Sequence, residues 1–208
     1  MPLRPTPGQT VGPFFHFALP YPDGEDLVPT GRPGAVRLHG RVLDGAGNPV
    51  TDALVEIWQT APDGTVPVAA GSLHRDPWEF TGWGRSATDG AGRYRFTTLE
   101  PGPASPGGAA FFAVCLFSRG LLDRLFTRAY LPDDAGALER DPLLASLPTD
   151  RRDTLIARRD PDGGLRFDIV MQGDGETLET VFLDFGDRSG WPIADQGPGG
   201  DDEGDGRS

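Results

Sequence analysis

The sequence predicts an all-β protein, a β-sandwich with an N-terminal arm and a short helical insertion. Three observations carry this. Short stretches with period-two apolar alternation recur along the chain, as half-buried strands require. Clusters of Gly, Pro, Asp and Asn separate them, and the chain holds 30 Gly and 21 Pro. A length of 208 residues fits one domain with a sizeable core and arms.

The elements follow in order. Residues 1–35 hold no strand or helix period, yet carry Phe14, Phe15, Phe17 and Tyr21. Such aromatics need burial, so the segment is expected to be an arm packed on the domain or on a partner. Val36 to Leu43 alternates as a strand, and Asp44-Gly45-Ala46-Gly47-Asn48-Pro49 is a turn cluster. Ala53 to Gln59 is the second strand, and Pro62-Asp63-Gly64 turns the chain again. Arg85 to Thr88, the turn Asp89-Gly90-Ala91-Gly92 and Arg93 to Thr97 read as a hairpin. Gly84, Gly90 and Gly92 read as turn glycines. Ala110 to Ser118 is nearly all apolar and suits a strand buried on both faces; Leu125 to Leu131 is another strand.

A helical insertion is expected next. Asp141-Pro142-Leu143-Leu144 can start one turn, and Thr149 can cap a helix over Asp150 to Ala157. Leu165 to Met171 alternates as one strand, and Thr180 to Phe185 closes the domain. The sandwich is thus expected over residues 36–186. Residues 187–208 are rich in Gly and Asp with little to bury, so a disordered acidic tail is expected.

Bulk charge narrows the function classes. A net charge of −12 argues against nonspecific nucleic-acid binding and against anionic membrane surfaces, both of which need a basic face. A small anionic ligand stays admissible, because one placed Arg outweighs the global field locally. Cys115 is the single cysteine and sits in an apolar run, so a buried small hydrophobe is expected rather than a disulfide. No signal-peptide pattern opens the chain and no apolar stretch approaches membrane-spanning length, so the expected location is cytoplasmic.

Self-contained chemistry is missing from the motifs. His16, His39 and His74 form no metal-ligand spacing; His39 falls on a strand, where a hydrogen-bonded structural role is expected. There is no nucleophile elbow, no Cys–His arrangement and no phosphate-binding Gly loop.

Several segments, taken together, resemble the intradiol ring-cleaving dioxygenase family. They include Thr6-Pro7-Gly8-Gln9-Thr10-Val11-Gly12-Pro13-Phe14, Val55-Glu56-Ile57-Trp58-Gln59 and Gly84-Arg85-Ser86-Ala87-Thr88. Further on come Leu116-Phe117-Ser118-Arg119-Gly120-Leu121, Thr127-Arg128-Ala129-Tyr130 and Val181-Phe182-Leu183-Asp184-Phe185. The resemblance spans roughly residues 5–185, and its order and spacing are its most specific features. It implies the alpha type of a two-chain enzyme, in which a beta subunit holds Fe(III) through two Tyr and two His. In this sequence those ligand positions fall near Ser72, Ala104, Phe111 and Ala113, none of which supplies a phenolate or an imidazole.

The resemblance further implies a site shared between subunits. Thr10, Gly12 and Pro13 of the arm would line the beta subunit's substrate cavity, and Arg119 would face the substrate carboxylate. No catalytic residue is expected in this chain, and no activity in the chain alone. The implied reaction is O2-dependent cleavage of protocatechuate to 3-carboxy-cis,cis-muconate, a step of aromatic catabolism through the beta-ketoadipate pathway, in a higher alpha–beta oligomer. Two other readings are open: a self-sufficient ring-cleaving enzyme, which needs all four ligands in one chain, and a non-enzymatic β-sandwich binding module.

Overall fold

A computed structural model describes residues 19–68, 76, 79–173 and 177–184. Among the described residues nine strands form two sheets. The first strand, β1 (Ala35–Leu43), pairs antiparallel with β4 (Arg93–Leu99) and parallel with β8 (Leu165–Arg166) and β9 (Ile169–Val170). A two-residue strand, β7 (Arg158–Arg159), extends this sheet beyond β8. The second sheet is antiparallel throughout, in the order β3-β2-β5-β6. Its members are β2 (Ala53–Trp58), β3 (Trp83–Ala87), β5 (Phe111–Ser118) and β6 (Leu125–Tyr130).

The core lies between the sheets and follows from the alternation. Val36, Leu38 and Val42 of β1 point inward while Arg37 and Arg41 point out. From the facing sheet come Val55, Ile57, Phe112, Val114 and Leu116. Phe96 and Phe112 are fully buried, one from each sheet. Each such ring contributes about 1.5–3 kcal/mol relative to an exposed one. Part of the arm joins this core: Leu27 and Val28 are buried, and both backbone N–H groups donate to the Thr97 carbonyl.

The Arg85–Thr97 region is not a hairpin. Its turn closes as expected, with the Asp89 N–H donating to the Arg93 carbonyl and the Arg93 N–H to Asp89 Oδ1. Beyond the turn the two strands part, because β3 continues its ladder with β2 and β4 with β1. The turn therefore crosses between sheets, and both strands bury their inner faces from opposite sides. Gly84 likewise belongs to β3 rather than to a turn; a Cβ there would collide with the Leu27 side chain.

The expected strand over Leu165 to Met171 is broken in its centre, although its register with β1 is the same on both sides. At the break the Phe167 carbonyl swings onto Gly40 and accepts from the buried Tyr94 hydroxyl. Asp168 Oδ1 then accepts from the Arg41 N–H at 3.0 Å in place of a backbone carbonyl. Thr180 to Asp184 forms no regular strand either. Its groups are shared between two elements, β9 and β6: the Thr180 N–H donates to the Val170 carbonyl, Thr127 Oγ1 donates to the Val181 carbonyl, and the Leu183 N–H donates to the Phe126 carbonyl.

Three short helices make up the insertion: α1 (Ala135–Arg140), α2 (Pro142–Ala145) and α3 (Thr149–Asp153). Asp141 caps α2 through the N–H groups of Leu143 and Leu144, with Pro142 in the first turn. Thr149 is not a cap; Pro148 takes that position without a side-chain hydrogen bond. Nor does α3 reach Ala157. The Leu155 carbonyl accepts from the Tyr130 N–H, and the Ala157 N–H donates to the Tyr130 carbonyl, so the edge of β6 draws this segment into extended pairing. Leu144, Leu155 and Tyr130 form a second buried cluster beneath the insertion.

Candidate functional site

The expected burial of β5 on both faces does not hold. Phe112, Val114 and Leu116 enter the core, but Phe111, Ala113 and Phe117 remain partly exposed on the outer face. Cross-strand register sets what surrounds them. Ala113 sits opposite Trp58 on one side and Arg128 on the other, and Phe111 sits opposite Tyr130. Trp58, Phe111, Ala113, Phe126 and Arg128 line a cleft of about 440 Å³. Trp58 and Phe111 also border a neighbouring hollow of about 280 Å³ that includes Ala104. Three of the four positions implied as metal-ligand equivalents, Ala104, Phe111 and Ala113, therefore line two neighbouring hollows that share Phe111. Ser72 lies outside the described residues.

The donor set at these positions does not fit ferric iron. Methyl and phenyl side chains offer no lone pair, and a ferric site needs anionic oxygens. The Arg128 guanidinium stacks over the Phe111 ring, 4.2 Å from its centroid. A fixed cation there opposes a second one. Arg128 Nη1 donates to the Tyr130 hydroxyl at 2.9 Å, and that hydroxyl donates to Asp141 Oδ1 at 3.0 Å. Burial above all pushes the Tyr130 phenol up to about 12, so it stays neutral and committed to this chain of bonds. Among the described residues no group of three or more His, Cys, Asp or Glu could hold a metal. Cys115, as expected, is buried; desolvation first, then the Glu56 carboxylate, pushes its thiol up to about 12.

Arg119 stands elsewhere. It follows β5 in a turn closed by the Leu121 N–H donating to the Ser118 carbonyl. Its side chain is 62% exposed, and Nε pairs with Asp52 Oδ2 at 3.0 Å. Eight residues of extended chain separate it from Phe111, about 26 Å at 3.3 Å per residue. Arg119 and Phe111 thus stand at opposite ends of β5, and Arg119 is not among the residues lining the cleft, which runs along that strand as far as Phe117. Thr10, Gly12 and Pro13 lie outside the described residues, as do His16 and His74. His39 is on the other sheet, with Nε2 2.6 Å from Asp160 Oδ2, the hydrogen-bonded role expected of it. That bond, helped by Arg37 and Arg166, lowers the Asp160 carboxyl.

The family model described as Dioxygenase matches residues 11–111. The protocatechuate 3,4-dioxygenase alpha chain of Burkholderia cepacia is 39% identical over 198 residues, covering 88% of this chain and 98% of that one. The chain belongs to the intradiol ring-cleavage dioxygenase family. Within it, the likeness is to protocatechuate 3,4-dioxygenase alpha chains. The beta chain of the same enzyme from Burkholderia cepacia is 37% identical over 171 residues, covering 74% of this chain and 72% of that one. Among solved structures, catechol 1,2-dioxygenase from Pseudomonas arvilla C-1 shares the fold at 23% identity and a TM-score of 0.50, covering 74% of this chain and 59% of that one.

For a member of this family, the residues that the sequence reading passed over are Trp58, Arg124 and Arg128. None belongs to a motif with its own chemistry. The signal that could have found them is the strand period, which puts Trp58 and Arg128 on the face that carries Phe111 and Ala113 once the pairing is known.

Proposed function

We propose that this chain is the iron-free alpha subunit of a protocatechuate 3,4-dioxygenase. It completes the substrate cavity of an iron-bearing beta subunit for O2-dependent cleavage of protocatechuate to 3-carboxy-cis,cis-muconate. The observation that carries the reading is the Phe111 cleft. A family member whose ligand-equivalent positions hold Ala and Phe beneath an Arg guanidinium has no place for its own metal. Likeness to both an alpha and a beta chain of one enzyme supports a two-chain assembly.

In this reading Arg119 presents its planar fork across the subunit interface to the substrate carboxylate. A charge-assisted, bidentate match of that kind fixes orientation as well as affinity. Its exposure, in the turn beyond β5 and outside the cleft lining, suits service to a neighbouring chain. Thr10, Gly12 and Pro13 supply cavity wall: Gly12 lets the backbone approach closely and Pro13 stiffens it. Positioning by these groups contributes to catalysis by holding the ring in reactive register, the chemistry itself residing in the partner. The assembly acts in the cytoplasm, within aromatic-acid catabolism.

The test is affinity capture of the tagged full chain from its own host grown on an aromatic acid. The expected result is a roughly equimolar second chain of the beta type, with bound iron and protocatechuate-cleaving activity. Capture of the chain alone, free of iron and inactive, would overturn the proposal and favour a non-enzymatic binding module.

A further inference from the structure

We propose that the cleft on the outer face of the β3-β2-β5-β6 sheet is itself a binding site, and that its ligand is an aromatic carboxylate. The inference stands on this chain's own side chains and goes beyond the iron-partner reading. Trp58 is 56% exposed, an unusual position for the largest apolar side chain. Phe111, Phe117 and Phe126 line the same cleft. Its volume of about 440 Å³ falls within the roughly 300–1,000 Å³ common for small-molecule pockets.

Charge selects the ligand class. Arg124 and Arg128 flank Phe126 at alternate positions, so all three project on one side. Neither arginine has a carboxylate within ion-pair distance among the described residues. Arg124 lies over the Phe126 ring, 5.0 Å from its centroid. Glu56, the one carboxylate lining the cleft among the described residues, is held by Arg85 through Nε at 2.9 Å and Nη2 at 2.5 Å. A chain of net charge −12 thus keeps, among the described residues, two cations with no direct ion pair beside a set of aromatic rings.

Register fixes the ligand's length. Trp58, Ala113 and Arg128 lie on one rung across three strands. Two strand spacings separate Trp58 from Arg128, about 10 Å. The small Ala113 side chain leaves the floor between them open. A single aromatic ring stacked on Trp58 spans that gap with its carboxylate on Arg128, and Arg124, level with Phe117, adds its charge from the far end of the cleft.

The test is titration of the full chain, in the assembly in which it purifies, at low ionic strength. Calorimetry and tryptophan quenching are followed with two probes, 3-hydroxybenzoate and the uncharged 3-hydroxybenzamide. A charge-assisted contact predicts the carboxylate to bind about tenfold tighter or more. Arg128 also supports the Tyr130 bond, so the informative variants are Arg124→Gln and Trp58→Leu, both at exposed positions. Each should weaken the benzoate, and Trp58→Leu should remove the quench. Equal binding of the two probes, or benzoate binding unchanged in both variants, would overturn the proposal. A partner's ferric site reports separately through its visible absorption, so failure of this proposal and failure of the two-subunit reading are distinguishable.

Discussion

Arg119→Ala separates a substrate-binding arginine from a structural one. Within this chain its loss removes one ion pair, to Asp52, from a side chain 62% exposed. Exposed pairs contribute about 0–1 kcal/mol, so folding stability should barely move. A charge-assisted bond to a substrate carboxylate is instead worth about 1.5–3 kcal/mol, which corresponds to roughly 10- to 150-fold in binding. The assay is steady-state kinetics of the assembled complex with protocatechuate, alongside 4-methylcatechol, which lacks the carboxylate. Expected is a rise in KM for protocatechuate within that range, with little change for 4-methylcatechol. Urea unfolding of the variant should match that of the parent. An unchanged KM for protocatechuate, or equal losses on both substrates, would refute the assignment of Arg119 to the carboxylate.

Two further outcomes follow from the core and from β5. Gly40→Ala places a Cβ against the Phe167 carbonyl oxygen and 3.0 Å from the Tyr94 hydroxyl. Overpacking plus loss of the Tyr94 bond should cost about 3 kcal/mol or more, read as a lowered urea midpoint; a variant within 0.5 kcal/mol of the parent would show that the strands separate freely there. Cys115, buried with its thiol pushed up to about 12, should resist iodoacetamide at pH 8 in the folded chain and react on unfolding. Fast labelling of the native protein would contradict the burial of that side chain.

Much of the fold was legible because its causes are local. The alternation in Val36 to Leu43 and Arg93 to Thr97 reflects one buried face per strand, and the Asp141-Pro142 start of α2 needs only its own carboxylate and ring. The errors arose where a distant partner decides. Nothing in Arg85 to Thr97 states that the two strands serve different sheets, because a tight turn looks the same in a hairpin and in a sheet-to-sheet crossing. The helix expected to Ala157 yields to β6, whose free edge offers Leu155 and Ala157 backbone bonds that a short helix cannot match.

The sequence by itself determined the family motifs and the chemistry missing from Ala104, Phe111 and Ala113, since side-chain donors are a property of residue type. Only the tertiary structure decided which residues share a surface. Trp58, Phe111 and Arg128 are far apart in sequence, and strand register alone brings them to one cleft. The same strand direction leaves Arg119 at the end of β5 opposite Phe111. Pairing across strands is set by the burial of whole faces, and no single segment contains that information.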